Sequence, residues 1–355
     1  MKYIKSFKKI QSVNEAEIPN EEKEPLEKEV KESPKSEDFE KVNNLLDSDY
    51  ENFIKALTGE GGVPSEEKIA KVDPKVQSIL NMGKRDAKVK DEVINFQRVN
   101  LPVKNLKPTQ SQIGLQDSIG FIAFVDPDKA KSSLSGNADF GGGAILTSDN
   151  KYILDGHHRW SQVFMMNPNA QIPAINLNLG LDGKEALKVV QLAIAADMGH
   201  IFMKPANAKT DIFNDDITGG SGEKLVELLN KIFNGDYGVP KGGSSDNVEK
   251  FKKILEEAWD TDEKGVIEKL AEHAKMIKEY KPADAPPRGF MPQPSDTAQK
   301  LGKPKDDGPG GMPSGVIQKL ASGDLNYKKA IEPNNVANPS EKVVDNFNNF
   351  LKNNK

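Results

Sequence analysis

The sequence predicts an α+β protein: a small mixed-sheet domain with flanking helices, an α-helical C-terminal region and disordered arms. Three observations carry this. Strand-like and helix-like segments interleave between residues 72 and 200 without a regular βα repeat. Apolar residues return at helical spacing from 223 to 281. The flanks are strongly charged or rich in proline and glycine, and cannot form a core of their own. Of 355 residues, 36% are hydrophobic and 29% charged, with 22 prolines and 29 glycines, which fits one compact domain with helical and disordered additions.

In chain order, residues 1–36 are a leader and an acidic linker. Ile4, Phe7 and Ile10 stand at helical spacing among Lys2, Lys5, Lys8 and Lys9, a short amphipathic helix able to dock on the protein's own body. Residues 15–40 carry eleven acidic and four basic side chains with three prolines, so self-repulsion keeps them disordered. Residues 37–71 hold one amphipathic helix, with Phe39, Val42, Leu46, Phe53, Ile54 and Leu57, and then a linker.

Residues 72–200 form the compact domain. A helix is expected over 75–82 and a strand over 99–103, while 119–125 reads equally as helix or strand. Residues 126–143 are polar and glycine-rich, a long loop of the functional or mobile kind. Strand, turn and strand follow over 144–154, a helix over 160–166, a strand over 171–179, and a helix over 184–198 stopped by Gly199. Residues 201–222 read as a linker and 223–281 as a helical region with helices near 223–233, 248–259 and 266–280. His273 shares a face with Val266, Leu270 and Ile277 and reads as a packed structural histidine. Residues 282–340 are a Pro/Gly-rich extended segment, and 341–355 a last helix with Phe347 and Phe350.

Composition removes several functions. With no cysteine there are no disulfides, thiolate nucleophiles or cysteine-held zinc. A net charge of −5 speaks against broad nucleic-acid binding, so DNA is not favoured as a partner. No run approaches the ~18 apolar residues of a membrane span.

The chemistry concentrates in Asp155-Gly156-His157-His158-Arg159-Trp160, which holds two of the four histidines and one of the two tryptophans. A chain leaving a strand through glycine and entering a helix presents free N–H groups, and His158 and Arg159 beside them make an anion site. Their positive charge opposes the helix dipole by roughly 0.3–1 kcal/mol unless an anion is bound. Asp155 can cap the helix or orient His157, and Gly156 keeps the backbone open to a ligand. The alternative is a polar turn in which the histidines cap the helix and Arg159 pairs with a carboxylate. Adjacent histidines point apart and cannot share one metal ion, so a metal would be Mg²⁺ carried in on a phosphate through Asp155.

The block Leu101-Pro102-Val103-Lys104-Asn105-Leu106-Lys107-Pro108-Thr109-Gln110 followed, about 45 residues on, by Ile153-Leu154-Asp155-Gly156-His157-His158-Arg159-Trp160 resembles the ParB/sulfiredoxin superfamily. The likeness covers residues 95–200. It implies a small α+β nucleotide-binding domain, with Gly156, His157, His158 and Arg159 around the phosphates and Lys107, Thr109 and Gln110 positioning a second substrate. Members include CTP-hydrolysing partition proteins, free serine kinases, sulfiredoxins and ParB-like nucleases. Sulfiredoxin chemistry needs a cysteine where this chain has His157. The kinases use a glutamate in the turn where this chain has Gln110, Ser111 and Gln112, and an amide is no base. Asp155 or His157 would have to serve as the catalytic base. Residues 1–13 also resemble the leaders of internal head proteins of tailed phages, with Val13-Asn14-Glu15-Ala16 similar to a prohead protease site.

The expectation is thus a nucleotide-binding ParB-like protein that uses a nucleoside di- or triphosphate with Mg²⁺ for phosphoryl transfer or hydrolysis. A second expectation is a non-catalytic phage virion or assembly protein, joining head or other protein partners through its terminal helices. A ParB-like nuclease is the third. The protein would lie in the host cytoplasm or be packaged in a virion.

Overall fold

The computed structural model describes residues 45, 48–82, 94–139, 143–205, 209–302, 307–308 and 312–322. The leader, the acidic linker and the helix expected over 341–355 lie outside the described residues. The chain is mixed α+β. Helix α1 (Tyr50–Thr58), β1 (Lys68–Lys71) and α2 (Pro74–Met82) come first, then β2 (Phe96–Pro102) and β3 (Lys107–Pro108). A π-type turn over Gln116–Gly120 runs into α3 (Phe121–Phe124), followed by α4 (Lys129–Leu134), β4 (Ile145–Ser148), β5 (Tyr152–Asp155), α5 (His157–Met166), β6 (Gln171–Leu177), α6 (Gly183–Met198) and β7 (His200–Met203). The remainder is helical: α7 (Asp215–Thr218), α8 (Glu223–Phe233), α9 (Ser245–Trp259), α10 (Glu263–Lys278), α11 (Pro294–Lys300) and, after the short β8 (Asp307–Gly308) and β9 (Met312–Pro313), α12 (Ser314–Ser322). Among the described residues no helix is long and apolar enough to cross a membrane.

The central sheet has the order β2-β6-β4-β5-β3. β4 lies parallel to β6 and antiparallel to β5, and β3 parallel to β5. The β4–β5 connection turns at Asp149 and Asn150, both at positive φ (53° and 55°), and is closed by the Lys151 N–H on the Ser148 carbonyl at 2.9 Å. Asp and Asn tolerate that left-handed pair, whose twist matches the strands. Buried Asn176 on β6 braces the turn: its Oδ1 accepts from the Thr147 hydroxyl at 3.1 Å and from the Asn150 N–H at 2.6 Å.

Alternation along the strands sends side chains to two faces. Ile145, Ile153, Ile172 and Ala174 join one core with α3, α5, α8, α9 and α10. Leu146, Leu154, Ile175 and Leu177 join another with α1, α6 and α12. The sheet is therefore sandwiched between two helical layers.

Several expected boundaries dissolve in this packing. Residues 223–281 are not a separate helical region, because α8, α9 and α10 complete the core that α5 faces. The expected linker at 201–222 holds β7, which pairs with β1. It also holds buried Ile212 and Phe213. The compact body accordingly reaches back beyond residue 72 to β1 and α1. The loop expected over 126–143 contains α4, and 119–125 resolves as helix. The Pro/Gly-rich segment is extended in part, yet it contributes Phe290, Met291 and Ala298 to the interior and forms α11. His273, expected to be a packed histidine, is buried with its Nδ1 2.6 Å from the Met165 carbonyl.

Candidate functional site

β5 ends at Asp155 and α5 begins at His157, so the turn between them falls on Gly156 alone. Gly156 has φ +94° and supplies no side-chain cap. A Cβ there would stand 2.5 Å from Ile145 Cγ2, so both its conformation and the space demand glycine. The Trp160 N–H donates to the Gly156 carbonyl at 2.9 Å. The N–H groups of His157, His158 and Arg159 precede that bond and have no intrahelical acceptor. No acidic side chain occupies the first turn of α5. The helix starts three residues earlier than its apolar pattern indicated, which puts both histidines inside it.

The two sequence blocks meet here. Lys107 and Pro108 pair with Tyr152 and Ile153. The Thr109 N–H donates to His157 Nε2 at 3.0 Å, while the Thr109 hydroxyl donates to the Ile153 carbonyl. Nε2 is therefore the acceptor nitrogen of a neutral ring, and the proton sits on Nδ1. Burial, with the neighbouring His158 adding, pushes the His157 pKa down to about 3. Gln110 is also buried, its amide donating to the Gln112 carbonyl. Lys107 is exposed. Of the three residues expected to position a second substrate, Thr109 and Gln110 thus act inside the fold.

Arg159 is held closely. Its Nη1 donates to the carbonyls of Gly143 and Ala144, both at 2.7 Å, and its Nη2 stands 3.5 Å from Asp155 Oδ2. The guanidinium ties the start of β4 to the end of β5. That is the arginine–carboxylate pairing of the polar-turn alternative, and it leaves Arg159 less free to grip a phosphate than its position in the sequence suggested. Asp155 faces Arg159, and the partner that fixes His157 is Thr109.

His158 points the other way, toward residues the sequence did not single out. Its Nδ1 is 3.3 Å from Ser118 Oγ. Ser118 donates to the Gly114 carbonyl at 2.8 Å and accepts from the Ser161 hydroxyl at 2.7 Å. Across the ring, Nε2 stands 3.9 Å from Asp117 Oδ2, and Asp117 is paired with Arg288. About a quarter of the His158 side chain is exposed, but Nε2 itself is sealed from solvent and has no hydrogen-bond partner. Burial lowers its pKa to about 4, with Arg288 and Lys204 acting in the same direction against Asp117. The Ser118–His158–Asp117 sequence of side chains has the order of a hydrolase triad. Ser118 is fully buried and spent on a backbone carbonyl, so it offers no nucleophile.

Two surface hollows, one beside Asp215, Glu223 and Lys224 and the other beside Asn230 and Asp262, include no residue of the motif. Among the described residues no group of three or more His, Asp or Glu side chains could hold a metal ion. No family model, curated protein or solved structure matches the chain. Function therefore rests on the site itself.

Proposed function

We propose that the start of α5 binds the phosphates of a nucleotide. The observation that carries this is the uncapped first turn: three N–H groups behind a left-handed glycine, with no side-chain cap and no acidic residue within that turn. The resemblance of residues 101–110 and 153–160 to the ParB/sulfiredoxin superfamily supports the same reading. In it, backbone N–H groups hold a phosphate, His158 meets it from the side, and Arg159 keeps the neighbouring loop in place. Magnesium, if used, arrives on the phosphates, with Asp155 as the nearest carboxylate of the motif. Phosphoryl transfer or hydrolysis is the chemistry such a site would host.

Binding without turnover is the second reading, and one observation favours it. The His157 lone pair already accepts the Thr109 N–H and Asp155 faces Arg159, so the two expected bases are both engaged. A phage virion or assembly protein that keeps the domain as a binding module fits this arrangement.

A thermal-shift panel of nucleoside di- and triphosphates, with and without Mg²⁺, tests the primary reading. At least one nucleotide should raise the melting temperature, and His158→Gln should reduce that rise. If none stabilises the wild-type protein, the nucleotide reading ends. If one binds but release of phosphate never exceeds the buffer rate, the module reading takes its place.

A further inference from the structure

Resting on the phosphate reading above, we propose that Arg288 is the principal cationic side chain of the anion site and Asp117 its resident counter-ion. Arg159, the arginine of the motif, has its Nη1 on two carbonyls at 2.7 Å and its Nη2 3.5 Å from Asp155, so it serves as a brace between β4 and β5. Arg288 is held differently. It is paired with one carboxylate, that of Asp117. This carboxylate faces the sealed and unpartnered Nε2 of His158 at 3.9 Å.

Arg288 is brought there by a strap formed from residues 281–291. Lys281 Nζ donates to the Phe213 carbonyl at 3.1 Å, Asp284 pairs with Lys184 at 2.6 Å, and the Pro286 carbonyl accepts the Ser111 N–H at 3.0 Å. Beyond Arg288, Gly289 packs so closely on the Lys204 carbonyl that a Cβ would lie 2.5 Å from it. Phe290 and Met291 are buried. These contacts fix the strap on either side of Arg288 independently of its ion pair, so the guanidinium can change partner without the strap leaving.

A phosphoryl group taking the place of the Asp117 carboxylate would meet the planar donors of Arg288. Guanidinium suits phosphate as well as carboxylate, because both present paired oxygens to its fork. Asp117 then acts as a stand-in anion that keeps the cation paired while the site is empty.

The experiment separates a site residue from a strut. Inorganic pyrophosphate and ATP are titrated calorimetrically into the full chain and into Arg288→Ala and Asp117→Asn, each checked for folding by its thermal melt. Both substitutions break the Arg288–Asp117 ion pair, so a strut predicts a loss in each. The proposal expects opposite directions: Arg288→Ala weakens binding by about tenfold or more, and Asp117→Asn strengthens it, since the competing carboxylate is gone. Weakening in both variants, or wild-type affinity in Arg288→Ala, overturns the proposal and leaves the phosphate reading standing. Absence of binding to the wild-type chain removes both.

Discussion

At the scale of single residues, the two histidines of the motif divide their work by which partner each ring nitrogen finds. His157 is turned inward and ties the start of α5 to the residue that follows β3, whereas His158 is turned toward a carboxylate and keeps a nitrogen without a partner. Both are held below the ordinary value of 6.5, near 3 and near 4. The unfolded chain therefore takes up protons that the folded one refuses. The stability they confer is complete above about pH 6.5 and falls as the pH drops toward 4. The slope is at most about 1.4 kcal/mol per pH unit for each ring. Urea midpoints measured between about pH 7.5 and 5 should fall less steeply in His157→Gln than in wild type, because the amide oxygen can accept the Thr109 N–H without titrating. Parallel lines would show that the ring is not held neutral.

At the scale of elements, what could be read from the sequence was whatever depends on neighbours along the chain. The α6 helix is framed by local signals. Asp182 and Glu185 form a reciprocal capping box, and Gly199 closes the end at φ +64°. The β4–β5 turn is equally local. The start of α5 was legible only in part, because the apolar pattern begins at Trp160 while the helix begins at His157. Gly156 sets that start, so Gly156→Ala should cost about 2–4 kcal/mol in chemical denaturation, from the left-handed backbone and the contact with Ile145 together. A cost below about 1 kcal/mol would mean that the strand-to-helix turn relaxes easily. What stayed illegible depends on distant partners. Asn167 donates its amide to the carbonyls of Ser133 and Leu134, steadying the end of an α4 that has little apolar pattern of its own. Arg288 reaches Asp117 across 171 positions from within a proline-rich stretch. No local spacing encodes such a pair.

At the scale of the whole molecule, the sheet has a helical layer on each face, and the layer over α5 is supplied by residues far along the chain. Trp160 lies in an edge-to-face cluster with Phe164 and Tyr280, at 5.6 and 5.8 Å between ring centroids. Trp259 at the end of α9 meets His273 of α10 edge-on at 5.8 Å. If the sheet and the C-terminal helices are one cooperative unit, Trp160 and Trp259 must report the same unfolding event. Single-tryptophan variants, with the other replaced by phenylalanine, should give coincident urea midpoints by fluorescence. An earlier midpoint for Trp259 would make the helical layer a separate unit.

The Trp160–Phe164–Tyr280 cluster also sets a timetable for synthesis. The inner face of α5 leaves the ribosome with its rings uncovered, and Tyr280 follows only about a hundred residues later. At ordinary elongation rates that interval is roughly 5–20 s, long compared with the collapse of a chain. Throughout it, the part of the α5 face that α8, α9 and α10 later cover has no helical layer over it. That face is closed only when α8, α9 and α10 have followed, with Tyr280 arriving last.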